Sequence, residues 1–232
     1  MIENKSQLVV VVYVDDIIFG GHNDEVCRQF AERMTTKFKM SMLGELSYFL
    51  GLQVNQQQNG VFISQANYIK EMLKKFMMED SKPISTPMVV GCKFSSSDES
   101  SSVDQTLYRT TIGSLLYLTA SRPDILQAVC LVAQFQGSPK ETHLVALKKI
   151  FRYLRGTMEY SLWYPKIESF TLIAFSDADW AGRVDDRKST SGGTFFSGQS
   201  LVAWHSKKQE SISLSIAEAE YIATTASCTQ VI

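Results

Sequence analysis

The stretch Leu8–Gly21, LVVVVYVDDIIFGG, constrains the fold more tightly than any other part of the chain. Four consecutive valines resist helix formation, because β-branched side chains lose χ1 freedom there and pack well on a pleated surface. The pattern predicts a β-hairpin, with Leu8–Val14 as one buried strand, Ile17–Gly20 as the next, and Asp15 and Asp16 at the turn. Aspartate is a common turn residue, since it tolerates the left-handed conformation and bonds its own backbone. Two adjacent carboxylates between buried strands also call for positive charge. A hard divalent cation with oxygen ligands, typically Mg²⁺, would supply it.

The chain has 232 residues, enough for one large or two small domains with a real core. No apolar run approaches the roughly 20 residues of a membrane span, and the N-terminal MIENKSQ lacks the basic-then-apolar order of a signal peptide. Cys27, Cys92, Cys130 and Cys228 form no CxxC pair, and His22, His143 and His205 are equally scattered. No zinc site is expected, and a reducing, intracellular compartment is the default, cytoplasmic or nuclear. The formal net charge is −1, so any affinity for nucleic acid must be local.

Periodicity organises the rest. Glu25–Lys39 and Tyr68–Met78 read as amphipathic helices, with Pro83 and Pro87 ending the second. Ser47–Val54 and Val61–Ser64 read as strands joined by the polar NQQQNG turn. Phe94–Asp104, serine-rich and acidic, reads as a flexible linker. Helices follow at Leu107–Thr119, Pro123–Phe135 and His143–Arg155, the last with Leu144, Leu147, Phe151 and Leu154 inward. Strands at Phe170–Asp177, Gly193–Ser197 and Leu201–Ser206 precede a helix over Leu214–Ser227. The fold class is α+β.

Between Lys140 and Lys166 six basic residues face two acidic ones. Lys148, Arg152 and Arg155 fall at i, i+4 and i+7, on one helical face. Such a stripe suits a phosphate backbone, and equally a solvated helix face. Arg187-Lys188 and Lys207-Lys208 could extend the track. Trp180 and Trp204 could stack on sugar or base, with at least one expected in the core. Met77-Met78 are expected to pack at a helix end.

YVDDIIFGG at Tyr13–Gly21 resembles the catalytic hairpin of reverse transcriptases in the form used by copia-type retrotransposons. FKMSMLGELSYFLGLQV, GVFISQANYIKEML and STPM resemble the palm segments that follow it. YRTTIGSLLYLTASRPDILQAV and HLVALKKIFRYLRGT resemble the family's linker helices. FSDADWAG, DRKSTSG, WHSKKQ and EAEYIA resemble its ribonuclease H domain. Short uncharacterised copies of this region in plant organellar genomes are also similar, which would allow an organellar location.

The resemblance implies a partial palm over residues 1–88, a Ser-rich linker over 89–105, a helical thumb or connection over 106–165, and a truncated ribonuclease H-like α/β unit over 166–232. It implies Asp15 as a direct metal ligand with Asp16 assisting, Tyr13 and Val14 near a primer terminus, and Tyr48–Val54 supporting the primer strand. Asp177 and Glu220 match the first two ribonuclease H carboxylates, with Asp179 and Glu218 as competitors. Glu218 and Glu220 are two apart on a helix, so both cannot face one site. The ion would be Mg²⁺, with Mn²⁺ as the alternative. The partners would be a primer–template or RNA–DNA hybrid and the rest of the Pol polyprotein. The family's remaining carboxylates lie upstream of YVDD and beyond Ile232, so the expectation is no activity from this chain alone. An unpaired, valine-rich strand is further expected to make it poorly soluble.

Overall fold

The valine run does form a strand. In the computed structural model, which describes residues 7–89, 91–166 and 171–231, β1 (Leu8–Tyr13) pairs antiparallel with β2 (Asp16–Gly21), Tyr13 opposite Asp16 and Leu8 opposite Gly21. The turn is therefore Val14–Asp15, and Asp16 opens the second strand instead of sharing the turn. Val14 takes φ +50°, a conformation that is strained for a β-branched residue. Helix α1 (Asp24–Lys37) follows. The Asn23 side chain caps it by accepting from the Val26 N–H at 2.9 Å, and Asp24 and Glu25 suit the positive end of its dipole. Phe30 of α1 lies against Phe19 of β2, ring centroids 4.9 Å apart.

These elements form one compact unit, Met1–Ser47; the second is Tyr48–Ile232. The expectation of a buried first strand is corrected here. Val9, Val11 and Val12 are each more than half exposed. A two-stranded ribbon has two faces, and one helix packed on β2 leaves β1 uncovered.

In the second unit, the segment read as one strand over Ser47–Val54 is a tight hairpin, β3 (Tyr48–Phe49) and β4 (Leu52–Gln57). Leu50 and Gly51 between them both have positive φ, +48° and +76°, the signature of a twist-compatible two-residue turn. The Tyr117 hydroxyl donates to the Leu50 carbonyl and fills the space a Gly51 side chain would need. β5 (Gly60–Ser64) continues the sheet. A strand that the sequence did not announce, β6 (Leu162–Pro165), completes it in the order β3-β4-β5-β6. Phe62 and Trp163 sit opposite each other there, rings 4.3 Å apart.

Helices α2 (Ala66–Lys75), α3 (Gln105–Leu118), α4 (Leu126–Ala133) and α5 (Glu141–Gly156) pack around one apolar core. Ile69, Leu73, Ile112, Leu115, Val129, Ile150, Phe151 and Leu154 are its buried centre, and Leu144 is partly buried beside them. α2 ends at Lys75, well before Pro83, so the prolines do not stop it. The chain turns instead at Met77, φ +56°, which is exposed while Met78 packs on the core. Arg122 lies fully inside. Its guanidinium grips Asp124 through Nε and Nη2, at 2.9 and 2.7 Å, and donates to the Thr157 carbonyl at 2.8 Å and hydroxyl at 2.7 Å. The Tyr153 hydroxyl donates to Asp124 as well, at 2.8 Å. The end of α3 is thereby stapled to the end of α5. Burial alone would raise the Asp124 pKa; the Arg122 contacts more than offset that and hold it below the usual carboxylate range.

The serine-rich segment is not a free tether. Phe94 meets Phe135 and His143 edge-on. Ser95 and Ser96 donate to Asp185. Ser102 bridges to Lys140, and the Val103 N–H donates to the Pro139 carbonyl. The last layer is a three-stranded antiparallel sheet, β7 (Leu172–Ala178), β8 (Thr190–Ser197) and β9 (Ser200–Lys208), covered by α6 (Ile216–Val231). Phe170, the expected start of β7, lies outside the described residues. Trp204 ties this sheet to the helices by donating its indole N–H to the Thr119 carbonyl at 3.0 Å. No helix among the described residues is long and apolar enough to cross a membrane.

Candidate active site

Two carboxylate pairs emerge, one in each unit. Asp15 sits in the hairpin turn and Asp16 at the first position of β2, with Tyr13 directly across the ladder. All three are exposed. Among the described residues neither carboxylate accepts a hydrogen bond or joins an ion pair, so their oxygens are open to a cation from solvent.

The second pair is built by β7 and α6. Asp177 lies near the end of β7, opposite Gly192, exposed and without a hydrogen-bond partner among the described residues. Glu220, half-buried on α6, reaches the adjacent backbone and accepts from the Ala178 N–H at 3.3 Å. The fold thus brings Glu220 to the strand end that carries Asp177. The two competitors have other work. Asp179 accepts from the Thr190 N–H at the start of β8. Burial pushes its pKa up, and the Asp177 charge nearby adds to that. Glu218 lies in the first turn of α6: it accepts from the Leu214 N–H at 2.7 Å while its own N–H donates to Ser215 Oγ at 3.2 Å. The Ser215 side chain thus caps the helix, while Glu218 reaches back to the residue before the cap instead of closing a reciprocal capping box.

The backbone that carries Glu220 is anchored by Gln209, the last residue of the WHSKKQ segment, to which the sequence reading gave no separate role. Gln209 is buried. Its amide nitrogen donates to Ser191 Oγ at 3.0 Å and to the Ala219 carbonyl at 2.9 Å, and its amide oxygen accepts from Ser213 Oγ at 2.9 Å. One side chain therefore locks β8, the β9–α6 connection and the first turn of α6, one residue before Glu220. Trp180 adds a bond from its indole N–H to the Ser213 carbonyl at 3.2 Å. His205 covers Gly193 across the ladder, in space where a side chain at 193 could not fit.

The basic stripe is partly occupied by the protein itself. Arg152 Nε donates to the Lys82 carbonyl at 2.8 Å, and Arg155 Nε to the Glu79 carbonyl at 2.6 Å. Both clamp the segment after α2 onto α5. Lys148 stays exposed. Farther along, Lys188 donates to the Glu210 carbonyl and Lys208 pairs with Asp186. Among the described residues no group of three or more His, Cys, Asp or Glu side chains converges as a metal cage.

Residues 2–90 match the reverse transcriptase (RNA-dependent DNA polymerase) family. Over 94% of this chain, 40% of residues are identical to the retrovirus-related Pol polyprotein from transposon RE1 of Arabidopsis thaliana, and 34% to that from transposon TNT 1-94 of Nicotiana tabacum. An uncharacterized mitochondrial protein of Arabidopsis thaliana is 35% identical, over 92% of this chain and 89% of its own length. The chain belongs to the copia-type retrotransposon Pol family. It spans only 15% of the RE1 polyprotein and 17% of the TNT 1-94 polyprotein. No solved structure matches it. Within this Pol family the YVDD hairpin falls inside the reverse transcriptase match, and Asp177 and Glu220 fall outside it.

Proposed function

We propose that the chain is a segment of a retrotransposon Pol polyprotein in which a reverse transcriptase palm and helical thumb or connection run into a ribonuclease H-like unit. On this reading the ancestral chemistry is RNA-directed DNA synthesis with degradation of the RNA–DNA hybrid. The observation that carries the second half is Glu220 at the Ala178 N–H, beside Asp177. A helix glutamate delivered to the end of a strand that bears an unpaired aspartate is the start of a two-metal carboxylate site.

The donor chemistry fits a hard divalent ion: Asp15, Asp16 and Asp177 present exposed oxygens with no partner among the described residues, and Glu220 spends one oxygen on a backbone N–H. Mg²⁺ or Mn²⁺ held by such residues lowers the pKa of an attacking hydroxyl or water and offsets charge that builds on phosphorus. In the hairpin Asp15 would be the direct ligand, Asp16 the second, and Tyr13 would flank the nucleic acid. In the other unit Asp177 would hold the ion and Glu220, oriented by the Ala178 N–H, would complete its side of the site on a helix that Gln209 anchors at Ala219. Each pair supplies two carboxylates, fewer than a two-metal clamp requires. The chain by itself is therefore proposed to be inactive in both reactions, with further ligands coming from the rest of the polyprotein.

The test uses the purified chain, Mg²⁺, the four deoxynucleotides and an end-labelled DNA primer on an RNA template, with extension and cleavage read on one gel. Neither product is expected. Activity abolished by Asp15→Asn or Asp177→Asn would overturn the claim of inactivity. Paramagnetic Mn²⁺ provides a readout independent of turnover. It should broaden backbone NMR signals around Val14–Ile17 and around Asp177–Asp179, and the matching Asn variant should remove each effect. No broadening at either place would sink the assignment of both pairs.

A further inference from the structure

The serine-rich segment carries a feature that the polymerase and nuclease chemistry leaves unused. Asp185, in the loop between β7 and β8, accepts three hydrogen bonds from it: Ser95 Oγ at 2.6 Å, Ser96 Oγ at 2.7 Å and the Ser96 N–H at 2.9 Å. These donors hold the Asp185 carboxyl down to about 2, so it is charged at neutral pH. Beside it, Asp98 accepts from the Ser100 N–H at 2.7 Å and from the Thr142 hydroxyl at 3.2 Å. The segment has no helix or strand over 94–104 apart from the single bridge at Ser102, and Ser96 is exposed. In the sequence FSSSDES, Ser95 is followed three residues later by Asp98, and Ser96 by Glu99.

We propose that Ser95 and Ser96 form a phosphorylation site for an acidic-residue-directed serine/threonine protein kinase, and that the modification releases this segment from the β7–β8 loop. The serine Oγ attacks the γ-phosphorus of a nucleoside triphosphate. An O–P bond forms, the bond to the β–γ bridging oxygen breaks, the nucleoside diphosphate leaves, and the hydroxyl proton passes to the kinase's base. The product carries about −1.5 to −2 charge at pH 7 and no longer has a hydroxyl donor. Placed within hydrogen-bond distance of the Asp185 carboxylate, and near Asp98, it converts attraction into repulsion. A kinase takes up its substrate serine in extended chain, which here means the released segment. Modification therefore captures the released population and keeps it released, a shift that both steps favour. Arg183, which pairs with Asp186 at 3.2 Å, is the nearby cation that could instead capture the phosphate, and the test separates the two results.

The full chain is treated with a purified kinase of this class and adenosine triphosphate. Sites are mapped by mass spectrometry, and hydrogen exchange is followed at the Ser96 amide. Phosphate on Ser95 or Ser96 with at least tenfold faster exchange at that amide is the expected result. Asp185→Asn, which keeps the shape and removes the charge, should raise the rate of incorporation several-fold. Ser95→Ala with Ser96→Ala should abolish it. No incorporation, incorporation only at Ser101 (which also has an acid three residues on, Asp104), or exchange that is unchanged or slower at Ser96 would overturn the proposal.

Discussion

Asp177 and Asp179 are two residues apart and separate cleanly by what their oxygens touch. Asp179 satisfies the first N–H of β8, a part-buried bond, so Asp179→Ala should cost about 1 kcal/mol, the net worth of such a hydrogen bond. Asp177→Asn removes no hydrogen bond among the described residues and relieves its repulsion with Asp179, so the urea midpoint should stay the same or rise slightly; a large loss for Asp177 or none for Asp179 would reverse the assignment. The basic stripe divides in the same way. Lys148→Ala should lower the salt slope of RNA–DNA hybrid binding by about 1. Arg152→Ala should instead cost about 1 kcal/mol of stability through its lost carbonyl bond. An equal fall in slope for both variants would show that Arg152 meets phosphate too. The sequence displayed the charge period at 148, 152 and 155, but the backbone carbonyls that occupy two of the three come from a segment about 70 residues away, and no helical wheel contains them. The choice between Glu218 and Glu220 was open in the sequence beyond their two-residue spacing, which puts them on different faces; the bond from the Leu214 N–H to Glu218 leaves Glu220 for the site. Gln209 closes the WHSKKQ segment, but its role was not legible there, because a buried amide is recognised by its partners on three elements and not by its neighbours in the chain.

Among the elements, those with long periodic patterns matched the sequence to within a few residues. The exceptions were decided by single backbone conformations or by distant pairing. Leu50–Gly51 splits one expected strand into two because both residues adopt positive φ; the glycine was visible, the leucine's conformation was not. β6 is four residues ending in proline, and it becomes a strand because β5 presents an edge to it. The hairpin turn at Val14 offers an element-scale test. A valine there stores strain of about 1–3 kcal/mol, so Val14→Gly should tighten the hairpin by about 1 kcal/mol after glycine's entropic penalty. Slower hydrogen exchange at Tyr13 and Asp16, the pair that closes the turn, would bear this out, and faster exchange would contradict it.

At the scale of the whole molecule, the exposed valines dominate solution behaviour. Among the described residues β1 pairs only with β2, and it carries no charge from Leu8 to Tyr13, which makes its other edge a template for pairing with other chains. Light scattering at micromolar concentration should find large species for the parent chain and far fewer for Val10→Lys with Val12→Lys; a monodisperse parent would contradict this. Acid should also destabilise the fold. His143 is fully buried against Phe135, centroids 4.0 Å apart, and its Nδ1 accepts from the Lys140 N–H. Burial lowers its pKa below 6.5, so the unfolded chain binds the extra proton first and stability falls as pH drops below about 6.5. The urea midpoint should be lower at pH 5.5 than at pH 7.5, and His143→Phe should reduce that difference, the remainder coming from His205, whose pKa burial also lowers; a midpoint independent of pH would exclude the effect. The return of β6 to β5 has a consequence for synthesis. Phe62 waits for Trp163, and the intervening chain of about 100 residues takes about 5–20 s to emerge from a ribosome. For that interval β5 remains a bare edge, and the nascent chain passes through its most exposed period before the second unit can close.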